Sequence, residues 1–148
     1  MLFVRRTMRV IKFRGQRIDN REWVYGFLYQ IPLPSGVASV ILTTNNIHED
    51  NSIKPKYHLA FTLWVDLFPV NPETIGLFTG LHDKNGEEIY EGDIINCRGC
   101  KPLLEVRFVR GVFSFLWGGD LDNKFSTGAP THEWAEVVGN IHDNPELL

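Results

Sequence analysis

Three observations predict a mainly β protein, with a small N-terminal β-rich part and a C-terminal SH3-like barrel. Apolar residues recur with a period of two and only rarely with a period of 3.6. Turn-forming pairs separate the apolar runs, notably Asp19-Asn20, Asn85-Gly86 and Arg110-Gly111. From Leu81 onward, about five short strands fall within roughly 70 residues, which suits a small barrel better than a sandwich. The expected organisation is a disordered N-terminal extension over 1–7, a β-rich part over 8–70 and the barrel over 71–148.

In Arg9-Val10-Ile11-Lys12-Phe13-Arg14, Ile11 and Phe13 face one way while Lys12 and Arg14 face the other, a half-buried strand that Gly15 ends. Trp23, Tyr25, Phe27 and Tyr29 share a face of the next run, and Asp19-Asn20 supplies the turn of an N-terminal hairpin. Pro32 and Pro34 with Ser35-Gly36 read as a loop, 37–42 as a third strand, and 43–56 as an exposed polar connection. The run 57–70 fits a buried strand pair or a short helix, and its aromatic and β-branched content favours strand. Asn71-Pro72-Glu73-Thr74 has the composition of a capped helical turn. In Asp83-Lys84-Asn85-Gly86, Asn85 and Gly86 both tolerate positive φ, as a tight hairpin requires. Ile89-Tyr90 continue as strand, Glu91-Gly92-Asp93 reads as a kink or bulge, and Ile94-Ile95 resume inward. A second hairpin, 103–109 with 112–117, turns at Arg110-Gly111, and a strand over 134–141 closes the set.

A chain of 148 residues with 43% hydrophobic and 22% charged residues is ordinary for a globular protein and too apolar for general disorder. It can bury roughly 70% of its unfolded surface without metal or disulfides. No run approaches the roughly 18 apolar residues of a membrane span, and the N-terminus lacks the order of a signal peptide, so a cytoplasmic location is expected. The net charge of −3 conceals an asymmetry: residues 1–30 carry seven Lys or Arg against Asp19 and Glu22, net +5, which leaves −8 for the remainder. Basic Lys12, Arg14, Arg17 and Arg21 beside Trp23 and Tyr25 form the candidate binding surface, for protein or nucleic acid. Such an aromatic row stacks single-stranded bases in some proteins, and more commonly is core or subunit interface.

Sites of chemistry are few. Cys97-Arg98-Gly99-Cys100 is the candidate metal pair, but zinc needs two further ligands and no second C-x-x-C or paired-His motif follows. Its place in a strand connection also argues against a thioredoxin-like redox role. Asp83, Glu87, Glu88, Glu91 and Asp93 are candidate acid/base carboxylates, and alternating carboxylates on a strand are ordinarily a solvated face. The loop is not an EF-hand, since its Gly stands fourth rather than sixth. His132-Glu133 lacks the second His of a metalloprotease helix, and Ser114 is not in a nucleophile elbow. Neither phosphate-loop nor dinucleotide-binding glycine patterns occur.

Two long blocks carry a family resemblance. Pro72-Glu73-Thr74-Ile75-Gly76-Leu77-Phe78-Thr79-Gly80-Leu81-His82 through Asp83-Lys84-Asn85-Gly86 to Glu91-Gly92-Asp93-Ile94, and Val138-Gly139-Asn140-Ile141-His142-Asp143-Asn144-Pro145-Glu146-Leu147-Leu148, resemble the central and C-terminal signatures of the YopX family. Ile11-Lys12-Phe13-Arg14-Gly15 and Trp23-Val24-Tyr25-Gly26 are similar to its opening. Leu77 and His142 depart from the Gln and Tyr common at those positions. The resemblance implies a protein of phage or prophage origin with an SH3-type C-terminal domain, and it supplies no catalytic residue or cofactor. The expected function is therefore a non-catalytic protein-binding or self-assembling module, a homo-oligomer or a partner of another phage or host protein. The alternatives are nucleic-acid binding by the basic hairpin and, more remotely, an enzyme using carboxylates near Glu91.

Overall fold

The computed structural model describes residues 10–43, 66–97, 103–117, 124–125 and 135–148. The extension expected over 1–7, the segment 57–65 and Cys100 lie outside them. Among the described residues the regular structure is antiparallel β, with two short 3-10 helices. The chain divides into two compact units, one spanning Lys12–Ile75 and one of Met1–Ile11 with Gly76–Leu148.

The first unit holds β1 (Phe13–Gln16), β2 (Trp23–Leu33), β3 (Gly36–Thr43) and β4 (Asp66–Pro69), side by side in the order β4-β3-β2-β1. β2 runs further than the sequence suggests, through Pro32, and meets β3 across a two-residue turn at Pro34-Ser35. Leu33 and Gly36 close that hairpin, so at the next position Pro32 turns its nitrogen away from β3. β1 pairs with β2 only as far as Gly26, so no ladder bond is lost there. Gly26 is demanded by close approach: a Cβ on it would stand 1.9 Å from the Leu42 carbonyl oxygen. Ile41 and Val70 are fully buried on the face that Gly15 also lines. Asn71 caps the 3-10 turn Pro72–Thr74 by accepting the Glu73 amide at 3.1 Å, and buried Thr74 Oγ1 accepts the Gln16 amide at 2.9 Å.

The second unit pairs β5 (Gly76–His82) with β6 (Glu88–Tyr90). A five-stranded sheet is built from β7 (Asp93–Cys97), β8 (Leu104–Val109), β9 (Val112–Trp117), β10 (Lys124–Phe125) and β11 (Ala135–Asn140), in the order β10-β9-β8-β7-β11. Its core joins Ile89 of β6 to Ile95, Cys97, Leu104, Val106, Phe115 and Ala135, with Leu81 and Val137 packed at the margin. These are alternate residues of paired strands on one face of the sheet, and Ile94 and Leu116, opposed through Glu105 on the other face, are fully buried as well. Arg110 (φ 51°) and Gly111 (φ 84°) both take positive φ, the mark of the tight β8–β9 turn the sequence predicts. The strands number as expected for an SH3-like barrel, yet among the described residues no sheet closes on itself.

Two turns differ from the sequence reading. In Asp83-Lys84-Asn85-Gly86 only Gly86 has positive φ, because the strands part at His82 and Glu88 and the loop between them is held from inside by Asp83. Glu91-Gly92-Asp93 is a turn between β6 and β7 rather than a bulge within one strand, fixed by the Tyr90 amide donating to Asp93 Oδ2 at 2.7 Å.

Candidate functional site

Registers in the Lys12–Ile75 unit determine which side chains share a face. Arg14 lies opposite Tyr25, and Phe27 opposite Leu42, which in turn lies opposite Leu67. Directly opposed residues project to the same side. Alternation along β2 adds Trp23 and Tyr29 to that side. The outcome is an aromatic and aliphatic surface: Tyr25 is 39% exposed, Phe27 54%, Tyr29 59% and Leu67 53%. The opposite side, with Ile41 and Val70, is buried, and on the aromatic side Val40, opposite Tyr29, is buried beneath the rings. Leu42 and Leu67 could not be assigned from sequence, because their place depends on pairings across segments distant in the chain.

The cations of the candidate surface divide by what they touch. Lys12 Nζ sits 5.8 Å from the ring centre of Tyr25, and the Arg14 guanidinium 4.8 Å from that of Trp23. Each leans diagonally, onto the aromatic two residues before its directly opposed position on β2. Arg14 is 6% exposed, so its charge is sheathed by packing rather than presented to solvent. Arg17 stacks 4.5 Å from the centre of Phe68, donates from Nε and Nη2 to Asp19 at 2.9 and 2.5 Å, and lies 3.7 Å from Glu22. The hydrogen bond to Asp19 raises the Arg17 pKa, and the same bond lowers that of Asp19. Arg21, exposed and at φ 63°, stands apart at the corner of the β1–β2 turn.

Charge counted over the folded units changes the picture from residues 1–30. Arg5, Arg6 and Arg9 fall outside Lys12–Ile75, where six Lys or Arg balance six Asp or Glu, net zero. The other unit, Met1–Ile11 with Gly76–Leu148, has nine against twelve, net −3. The exposed aromatic face therefore belongs to a neutral unit.

The carboxylates of the second unit serve its turns. Asp83, 1% exposed, accepts the amides of Asn85, Glu87 and Val137 at 2.7, 2.9 and 3.1 Å. Burial pushes its pKa up, and the Glu87, Val137 and Asn85 amides outweigh that and hold it below the ordinary carboxylate value. Asp93 is buried and bound to the Tyr90 amide, Glu88 accepts the Tyr90 hydroxyl at 2.6 Å, and Glu91 accepts the Phe108 amide at 3.2 Å. Buried Glu105 takes a bidentate grip from Arg107 at 2.7 and 2.8 Å, a pair that sequence alone does not single out. Cys97 is packed in the core, while Cys100 lies outside the described residues. Among the described residues, no three His, Cys, Asp or Glu gather as a metal site and no helix is long and apolar enough to cross a membrane.

The C-terminal signature is likewise turn chemistry. Asn140 Oδ1 accepts the His142 and Asp143 amides, both at 3.0 Å, and its Nδ2 donates to Asp143 at 2.9 Å. A Cβ on Gly139 would stand 2.5 Å from Asn144 Oδ1. The residues that make both signature blocks distinctive thus secure turns and strand ends.

No curated protein matches the chain. The crystal structure of protein EF1440 from Enterococcus faecalis is similar in fold, with a TM-score of 0.52 and 24% identity, covering 95% of this chain and 99% of that one. The sequence profile of the family described as YopX protein matches residues 12–148, nearly the whole chain, and the protein belongs to the YopX family.

Proposed function

We propose that this protein is a non-catalytic phage or prophage accessory protein of the bacterial cytoplasm that acts by binding protein. Its first partner is a second copy of itself, met through the Tyr25-Phe27-Tyr29 face of the Lys12–Ile75 unit. The observation that carries the reading is the exposure of those rings, with Leu67, on a sheet face whose opposite side is buried. Contiguous apolar surface of this kind marks interaction sites, and aromatic residues with few charges characterise interface centres. The neutrality of the unit supports self-association, because two copies meeting there escape the repulsion that the net −3 of the other unit would impose.

Nucleic-acid binding by Lys12, Arg14, Arg17 and Arg21 is the second reading, favoured by the exposed rings beside Lys12. It is the weaker one: Arg14 is buried against Trp23 and Arg17 is ion-paired, so few cations are available for phosphates. The enzymatic reading near Glu91 has less support still, since Glu88, Glu91 and Asp93 each accept a structural hydrogen bond. The test is molar mass by light scattering across concentration, with single-stranded oligonucleotide titrations at two salt concentrations. Self-association without salt-sensitive oligonucleotide binding is the expected result; a strict monomer that binds oligonucleotide steeply with falling salt reverses the order of the readings.

A further inference from the structure

A cleft of about 480 Å³ opens at the end of β1, lined by Gln16, Arg17, Ile18, Arg21, Asn71 and Pro72. Such a volume is within the usual range of small-molecule sites. Its walls are preformed by backbone bonds: Asn71 donates to the Gln16 carbonyl at 2.8 Å, Ile18 to that of Pro69 at 3.1 Å, and Arg21 to that of Arg17 at 3.1 Å.

Among the lining side chains, Arg21 and Asn71 offer donors to a ligand. Arg17 is committed to Asp19 and Glu22, and this cluster brings no surplus positive charge to the cleft. Arg21 is exposed and has no carboxylate partner among the described residues. Asn71 gives its Oδ1 to the Glu73 amide, which leaves Nδ2 to donate. Ile18, 66% exposed, and Pro72 provide apolar walls.

We propose that this cleft binds a small organic carboxylate carried on an apolar body, with the carboxylate on Arg21 and Asn71 Nδ2 and the body between Ile18 and Pro72. One guanidinium offers the planar fork that a carboxylate matches in a bidentate manner. With no second available cation in the cleft, a monoanion is better matched than a phosphate dianion. The proposal is independent of the aromatic face.

The experiment is an amide chemical-shift titration of the full-length protein with 3-phenylpropanoate. Acetate supplies the charge without the body, 3-phenylpropan-1-ol the body without the charge, and inorganic phosphate the dianion. Saturable shifts at Ile18, Arg21 and Asn71 are expected for 3-phenylpropanoate, with affinity weakened about tenfold or more for the alcohol and for Arg21→Asn. Asn tolerates the left-handed backbone of position 21, so this variant keeps the fold; Arg21→Gly is the second choice on the same ground. Phe27→Glu should bind 3-phenylpropanoate as the parent does, which separates this site from the proposed association face. No saturable shift up to about 20 mM, equal affinity in Arg21→Asn, or tighter binding of phosphate than of 3-phenylpropanoate overturns the proposal.

Discussion

The Asp83 carboxylate accepts the amide of Val137 at 3.1 Å, across a separation of 54 residues. That bond ties the β5–β6 loop to β11, and the Lys84 amide adds a second tie by donating to the Ala135 carbonyl at 2.9 Å. The Lys84–Glu136 ion pair lies between them at 2.5 Å. The most family-like turn of the sequence is therefore a clasp between distant strands.

Asp83→Ala leaves three amides without their acceptor in a buried setting, and should lower unfolding free energy by on the order of 3 kcal/mol. Asp83→Asn keeps one acceptor oxygen and should cost about half as much. Urea unfolding followed by circular dichroism checks both, and equal stability of Asp83→Ala and parent contradicts the clasp.

The same group sets an acid dependence. The folded pKa of Asp83 is depressed, so its contribution is present above the unfolded value of roughly 3.9 and is lost as pH falls through the folded value. The parent should lose stability on acidification below about pH 4 more steeply than Asp83→Asn. Parallel acid limbs in the two proteins contradict this account.

Gly26→Ala forces a Cβ onto the Leu42 carbonyl, where the obstacle is backbone rather than a flexible side chain. A loss on the order of 3 kcal/mol is expected, measured as a shift in urea midpoint at unchanged slope. Gly36→Ala supplies a contrast, because nothing lies within 4 Å of its added Cβ and only its backbone conformation is at issue.

Exposure makes Phe27→Glu and Tyr29→Glu different in kind. Both should leave unfolding free energy within about 0.5 kcal/mol of the parent, since neither side chain is in a core. A loss of several kcal/mol would show that the aromatic face is packed rather than presented.

Much of the fold was legible where one short-range rule decides the outcome. Period two placed β3, Arg110-Gly111 gave the β8–β9 turn, and Asn71-Pro72 gave the capped 3-10 turn. The first strand was not: β1 runs Phe13–Gln16 with Gly15 inside it, where the lack of a side chain admits Val70 and Ile41, and Ile11 is exposed while Arg14 is buried, the reverse of the faces that alternation assigns. Pro32 was misread as a loop residue because its tolerance depends on hairpin register, which composition does not reveal. Asn85 kept negative φ because a carboxylate, invisible to turn statistics, organises the loop. For the site, alternation showed that Trp23, Tyr25, Phe27 and Tyr29 share a face, but not whether that face is buried. Ile41 and Val70 decide that from the other side of the sheet. The basic edge over residues 1–30 was a real feature of the sequence, but its charges do not stay together once counted by folded unit.

The central claim is that the Tyr25-Phe27-Tyr29 face joins two copies of this chain. Sedimentation velocity of the parent and of Phe27→Glu over micromolar to submillimolar concentrations tests it most directly. The account predicts a parent whose average mass rises with concentration toward a dimer and a variant that stays at the monomer mass of about 17 kDa. A parent that is monomeric throughout, or a variant that associates as the parent does, contradicts it.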